Sequence, residues 1–108
     1  MRTDPKTISE KILSLKSSTD AKAGDIVEAD VDYVMVNDVT GPLAFQEFEA
    51  LECEPVREKI VLVPDHFVPN KDVASAKQAK EMRDFAKRWG IKNYFEVGRG
   101  GVCHQVML

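Results

Sequence analysis

Apolar positions along this chain follow two periods, and the points where one gives way to the other divide it into elements. Thr7-Ile8-Ser9-Glu10 has the form of a capping box, and Ile8, Ile12 and Leu15 then share one helical face. Ser17-Ser18-Thr19-Asp20 ends that helix, and Gly24 turns the chain. From Asp25 to Val36 the period drops to two. Val27, Ala29, Val31, Tyr33 and Met35 point one way, and Glu28, Asp30 and Asp32 the other, until Val34 and Val36 make the run apolar on both sides. The pattern predicts a strand that enters a core at its far end. Asn37 to Pro42 is a loop, with Pro42 suited to a helix's first turn and Ala44, Phe48 and Leu51 forming the buried stripe after it.

Lys59 to Val63 is an apolar run stopped by Pro64, the mark of a strand covered on both faces. A longer helix is predicted from about Lys71 to Trp89. Its stripe is Val73, Ala76, Ala79, Met82, Phe85 and Trp89, and Gly90 is placed to end it. Asn93 to Val97 supplies a third strand, and Val102 to Leu108 a further strand or buried segment. Strands that alternate with helices predict an α/β domain over residues 1–108, with a parallel-stranded layer and crossover helices. Because Val106-Met107-Leu108 closes the chain on apolar residues, the expectation is that the sequence is a portion of something longer.

Composition narrows the class of protein more than its task. The 108 residues carry 15 Lys and Arg against 18 Asp and Glu, and 44% are hydrophobic. That balance predicts a globular domain with no nucleic-acid surface, which would show clustered basic residues. No apolar run approaches the roughly 18–20 residues of a membrane span, and no leader pattern opens the chain. The default compartment is cytoplasmic. Cys53 and Cys103 stand fifty residues apart without a CxxC, so neither a disulfide framework nor a metal site built on paired cysteines is expected. Cys53 reads as a buried small hydrophobe. The Lys and Arg residues at 77, 80, 83, 87 and 88 read as a solvated helix face.

In a parallel layer the C-terminal ends of the strands share one edge, and ligands bind there. Here that edge collects Asn37, Asp38 and Thr40, then Asp65, His66 and Asn70, then Arg99, Cys103, His104 and Gln105. A carboxylate beside an imidazole fixes its tautomer and suits a proton donor or acceptor, which makes Asp65-His66 the leading candidate. A plain loop cap would explain the same two residues. His104 divides evenly between a functional role and a core histidine with one hydrogen bond. Asp38 and Thr40 fit ordinary capping before a Pro-led helix. Gly98-Arg99-Gly100-Gly101 has the look of an anion nest but not the spacing of a nucleotide loop.

Taken in order, these segments resemble the start of a large subunit of the aconitase superfamily, nearest to its isopropylmalate dehydratase and homoaconitase branch. Thr7 to Leu13, Ala23-Gly24-Asp25-Ile26-Val27 and Asn37-Asp38-Val39-Thr40 are similar to that pattern, and Asp65-His66-Phe67-Val68-Pro69 and Gly101-Val102-Cys103-His104-Gln105 more specifically so. The resemblance spans residues 7 to 108. Pro42 stands where aconitase itself has glutamine, which favours the isopropylmalate side. It implies the N-terminal portion of an aconitase-like α/β/α domain in a hydro-lyase that removes and re-adds water on a hydroxy-carboxylic acid. Isopropylmalate, a homoaconitate-type tricarboxylate, citramalate and dimethylmalate are the open choices.

It further implies a 4Fe–4S cluster in the complete enzyme, whose open iron acts as a Lewis acid on the substrate hydroxyl. Asp65 and His66 would be the acid–base pair, His104 a further polar contact, and Asp38 and Thr40 part of the substrate pocket. The three cluster cysteines belong far downstream in the large subunit, and the carboxylate-binding arginines and the serine base come from other regions or from a small, swivel-domain partner. Neither Cys53 nor Cys103 matches a cluster ligand. The chain alone is therefore expected to hold no cluster and to be inactive. The other reading is a stand-alone small-molecule-binding or regulatory module on the same fold.

Overall fold

A computed structural model describes residues 4–108, in two compact units that divide at Asp32 and Tyr33. In the first, helix α1 (Ile8–Ser17) starts where the capping box predicts. Thr7 N donates to Glu10 Oε1 at 3.0 Å, and Glu10 N donates to Thr7 Oγ1 at 3.2 Å. Ser18, left-handed at φ 56°, ends it. The Ser14 hydroxyl accepts from Ala21 N at 2.9 Å, while Lys16 ties the end of the unit through Asp32 at 2.7 Å. No α1 residue is buried, and Ile8 and Leu15 lie mostly open.

Residues 25–33 form no strand. Ile26 is 100% exposed, and Val31 and Tyr33 are more than half exposed. Strand β1 is only Val34–Asn37, the four residues that pair with strand β2 (Ile60–Val63). The alternation upstream is real, but a strand exists only where a neighbour takes its hydrogen bonds. The β1–β2 pair is parallel, with Val34 opposite Ile60 and Asn37 opposite Val63.

Helices cover this pair on both faces, as a continuous apolar β2 requires. On one side Leu62, Val36 and Ile60 meet α2 (Gly41–Ala50) and α3 (Val73–Trp89) through Phe45, Met82, Phe85 and Ala86. The Phe45 and Phe85 rings stack with centroids 3.8 Å apart. On the other, Val61 and Val63 pack with Cys103 and Val106 of a short helix, α4 (Cys103–Val106). Leu62, Val63 and Met82 are fully enclosed, each worth about 1.5–3 kcal/mol of burial.

Several elements depart from expectation. The inward face of α2 is Gly41, Pro42, Phe45 and Phe48, while Ala44 and Leu51 are exposed. Gly41 sets this phase: a Cβ there would stand 2.8 Å from Met82 Sδ and 2.9 Å from Val36 Cγ1, so the helix meets the sheet at its first residue. Along α3 the buried positions are Ser75, Ala79, Met82, Phe85 and Ala86, and Val73 and Ala76 face out. Asp72 caps this helix, its carboxylate and the Ser75 hydroxyl each accepting the other's backbone N–H, and Gly90 ends it at φ 63°.

The third strand shrinks to a parallel bridge, Leu62 to Tyr94, with bonds from Leu62 N to Asn93 O and from Phe95 N to Leu62 O. Val102 to Leu108 is not a strand. Its backbone closes on itself as α4. Cys53 is exposed in the loop after α2, where its thiol donates to Leu51 O, and is no core residue. The basic face of α3 is not wholly solvated either, since Arg83 is half-buried and forms a double hydrogen bond with Glu96 at 2.7 and 2.8 Å.

Candidate active site

At the C-terminal end of β1 the chain turns on Asn37, whose side-chain oxygen accepts from Val39 N, Thr40 N and the Thr40 hydroxyl at 2.9–3.2 Å. Thr40 therefore does not cap α2 with its side chain, and Asn37 holds this turn instead. Asp38 is released from capping and points into the molecule, where it is 0% exposed. One of its oxygens accepts from Asp65 N at 3.1 Å and His66 N at 2.9 Å, and the other from Phe67 N at 3.0 Å. The turn after β1 thus carries the anchor for the loop after β2. A buried carboxylate is tolerated because three backbone donors converge on it.

That anchor presents Asp65 and His66 at the rim. Asp65 Oδ1 lies 2.6 Å from His66 Nδ1, and Asp65 Oδ2 accepts from Cys103 N at 2.7 Å. Burial pushes the Asp65 carboxyl up, but the hydrogen bonds from His66 and from Cys103 outweigh it and hold it below the ordinary carboxylate value. Asp65 is thus an anion at neutral pH. Its side chain is 9% exposed, while that of His66 is 44% exposed. The pair combines a fixed, shielded carboxylate with an imidazole that solvent and ligands can reach.

The third contributor is the start of α4. His104 is exposed, with Nδ1 3.4 Å from Cys103 Sγ. It is not a core histidine. Cys103 is 1% exposed, and burial, reinforced by the adjacent Asp65 carboxylate, pushes its thiol up. Beside Asp65 an open cleft of about 310 Å³ runs past Val68 to Gly98, Gly100 and Gly101, a volume at the lower end of small-ligand sites. Asp38, Asp65, His66, Cys103 and His104 therefore form one connected group. Thr40 stays on the exposed side of the Asn37 turn. Asn70 donates to Phe67 O at 2.9 Å and braces the same loop.

Cys103, which the sequence places on this edge without a role, joins the aspartate to the second histidine. Its signal was available: it stands next to His104, and its element had to end at the same edge. A cuboidal iron–sulfur cluster does not fit here. It needs three thiolates around it, and this chain has two cysteines, one exposed after α2 and one buried at the start of α4.

No family model matches the chain. Individual relatives do. It is 54% identical over 103 residues to the 3-isopropylmalate dehydratase large subunit of Picrophilus torridus, an alignment covering 95% of this chain and 25% of that protein. The large subunit of the same name from a Thermoanaerobacter species is 53% identical over 103 residues, 94% of this chain and 25% of its own length. That of Caldicellulosiruptor bescii is 47% identical over 108 residues, 97% of this chain and 25% of its length. The chain spans about a quarter of the length of the curated relatives it matches.

Proposed function

We propose that this chain, a homologue over some 95% of its length of 3-isopropylmalate dehydratase large subunits, carries the proton-handling pair of such a hydro-lyase. The observation that supports this reading is the Asp65–His66 contact of 2.6 Å, held at an open cleft by the three bonds of Asp38. Asp65 takes the Nδ1 proton of His66 as a hydrogen bond, which leaves Nε2 as the nitrogen that exchanges protons with substrate. In dehydration the imidazolium gives its Nε2 proton to the departing hydroxyl, which leaves as water. In rehydration the neutral ring takes a proton from the incoming water. The Asp65 anion steadies the charged ring in both directions without being protonated.

His104 adds a second polar contact at the rim, and Asp38 acts through the loop it positions. The carbon-bound proton requires a base outside this group. A complete enzyme would hold its 4Fe–4S cluster on cysteines other than the two present here, with a small subunit closing the site over a hydroxy acid in the cytoplasm. The cluster would supply a Lewis acid for the leaving oxygen.

The test is turnover of 3-isopropylmalate by a complete large subunit bearing these residues, assembled with its small subunit. His66→Ala should lower kcat by about a hundredfold or more, the scale of a lost general acid, with cluster content unchanged. Full activity in that variant would overturn the assignment. Tight binding of a hydroxy acid by the 108-residue chain, without any dependence on His66, would favour the stand-alone binding module.

A further inference from the structure

We propose that Asp65, His66 and Cys103 form a three-ligand site for a borderline-soft divalent cation of the zinc class. One carboxylate oxygen, one imidazole nitrogen and Cys103 Sγ all lie within 4.8 Å of one another. Around a tetrahedral zinc with bonds of about 2.0–2.3 Å, ligand atoms sit roughly 3.3–3.8 Å apart. The widest donor pair, at most 4.8 Å apart, would close by about an ångström, while Asp65 Oδ1 and His66 Nδ1, 2.6 Å apart, would open by about as much, both within the reach of side-chain rotation.

The donor set sets the selectivity. A thiolate and an imidazole favour zinc and its neighbours, whereas magnesium and calcium require six or more oxygens. Three protein ligands leave a fourth position for water, and the exposure of His66 gives the ion a path in. Two anionic ligands, carboxylate and thiolate, balance the charge of a divalent ion. On binding, the thiol proton leaves to solvent, and the neutral imidazole keeps its one proton on the nitrogen that does not bind.

The frame around the donors is built in advance. Asp38 fixes the backbone of residues 65–67, and the bond from Cys103 N to Asp65 ties the two segments that carry the ligands. His104 Nδ1, 3.4 Å from Sγ, is placed to donate to the bound thiolate, the outer contact that tunes such ligands. An occupied site withdraws His66 from proton transfer, so this class of cation would block the chemistry proposed above. The site itself follows from the geometry alone and stands whether or not the pair serves a dehydratase.

Titration of the reduced 108-residue chain with cobalt(II) tests this without any turnover. One equivalent should produce the visible bands of tetrahedral cobalt and a near-ultraviolet sulfur-to-cobalt band, both displaced by zinc and untouched by magnesium. Cys103→Ser should remove the sulfur band, while Cys53→Ser should leave it. His66→Ala, at an exposed position that packing does not need, should weaken binding about tenfold or more with an unchanged far-ultraviolet circular dichroism spectrum. If Cys103→Ser does not fold, His66→Ala decides. Absence of the sulfur band in the unaltered chain, its persistence without Cys103, or equal affinity in folded His66→Ala would overturn the proposal.

Discussion

At the scale of single residues the site rests on Asp38, fully buried behind the loop that it holds. Its truncation in Asp38→Ala leaves three backbone N–H groups, of Asp65, His66 and Phe67, without their acceptor. Each unsatisfied buried donor costs about 1–3 kcal/mol, and partial hydration of the cavity offsets some of it, so a loss of about 2–4 kcal/mol is expected in urea unfolding. Asp38→Asn retains one acceptor oxygen and should lose less. A change within about 0.5 kcal/mol for Asp38→Ala would show that the loop holds itself. Cys53 provides the contrast. Exposed, with a single weak bond to Leu51 O, it should tolerate Cys53→Ala within about 0.5 kcal/mol.

Between elements, close approach and charge pairing set the geometry of the edge. Gly41 lets the first turn of α2 lie against Val36 and Met82, and Gly41→Ala must push a β-carbon into both. Overpacking of this kind costs about 1–3 kcal/mol, visible as a lowered thermal midpoint. The pair between α3 and the segment after the Tyr94 bridge gives a pH dependence. The Arg83 guanidinium beside Glu96 holds its carboxyl at about 2, against an ordinary value of 4.5. The folded chain therefore binds fewer protons than the unfolded chain between those values. The contribution of the pair is complete above about pH 4.5 and is lost as the pH falls toward 2. Because both side chains are more than a third exposed, the gain is at most about 1 kcal/mol. Glu96→Gln should lower stability at neutral pH and flatten this part of the acid limb; identical acid curves for both proteins would count against the pairing.

At the scale of the whole molecule, the two cysteines limit what 108 residues can bind. Anaerobic incubation with iron and sulfide should leave the chain without a stoichiometric 4Fe–4S centre, as judged by metal analysis and absorbance, because three thiolates cannot come from two cysteines. A cluster with four irons per chain would refute this. Two layers of helices on a two-stranded core are enough to bring Asp38, Asp65 and Cys103 together although they span 65 positions of sequence. Among the described residues no helix is long and apolar enough to cross a membrane.

Local chemistry determined much of this by itself. The capping box at Thr7, the buried run of β2, the length of α3 and its stop at Gly90 all follow from neighbours a few residues apart, where periodicity and backbone preference act. The position of Asp65-His66 after β2 was legible for the same reason, since an apolar strand must end in a polar turn. What sequence could not decide was whatever depends on a distant partner. The alternation of residues 25–33 became no strand, since the pairing with β2 begins only at Val34. The stripe of α2 shifted because Gly41 had to fit between Val36 and Met82. Asp38 carried the signature of a cap, yet its acceptors found three donors 27 to 29 residues away. Cys103 stood on the edge without a role until α4 packed against the sheet and set its backbone N–H on Asp65. A hydrogen-bond donor or a packing surface becomes available only when the chain has closed, so tertiary structure alone selects among groups that sequence leaves equivalent.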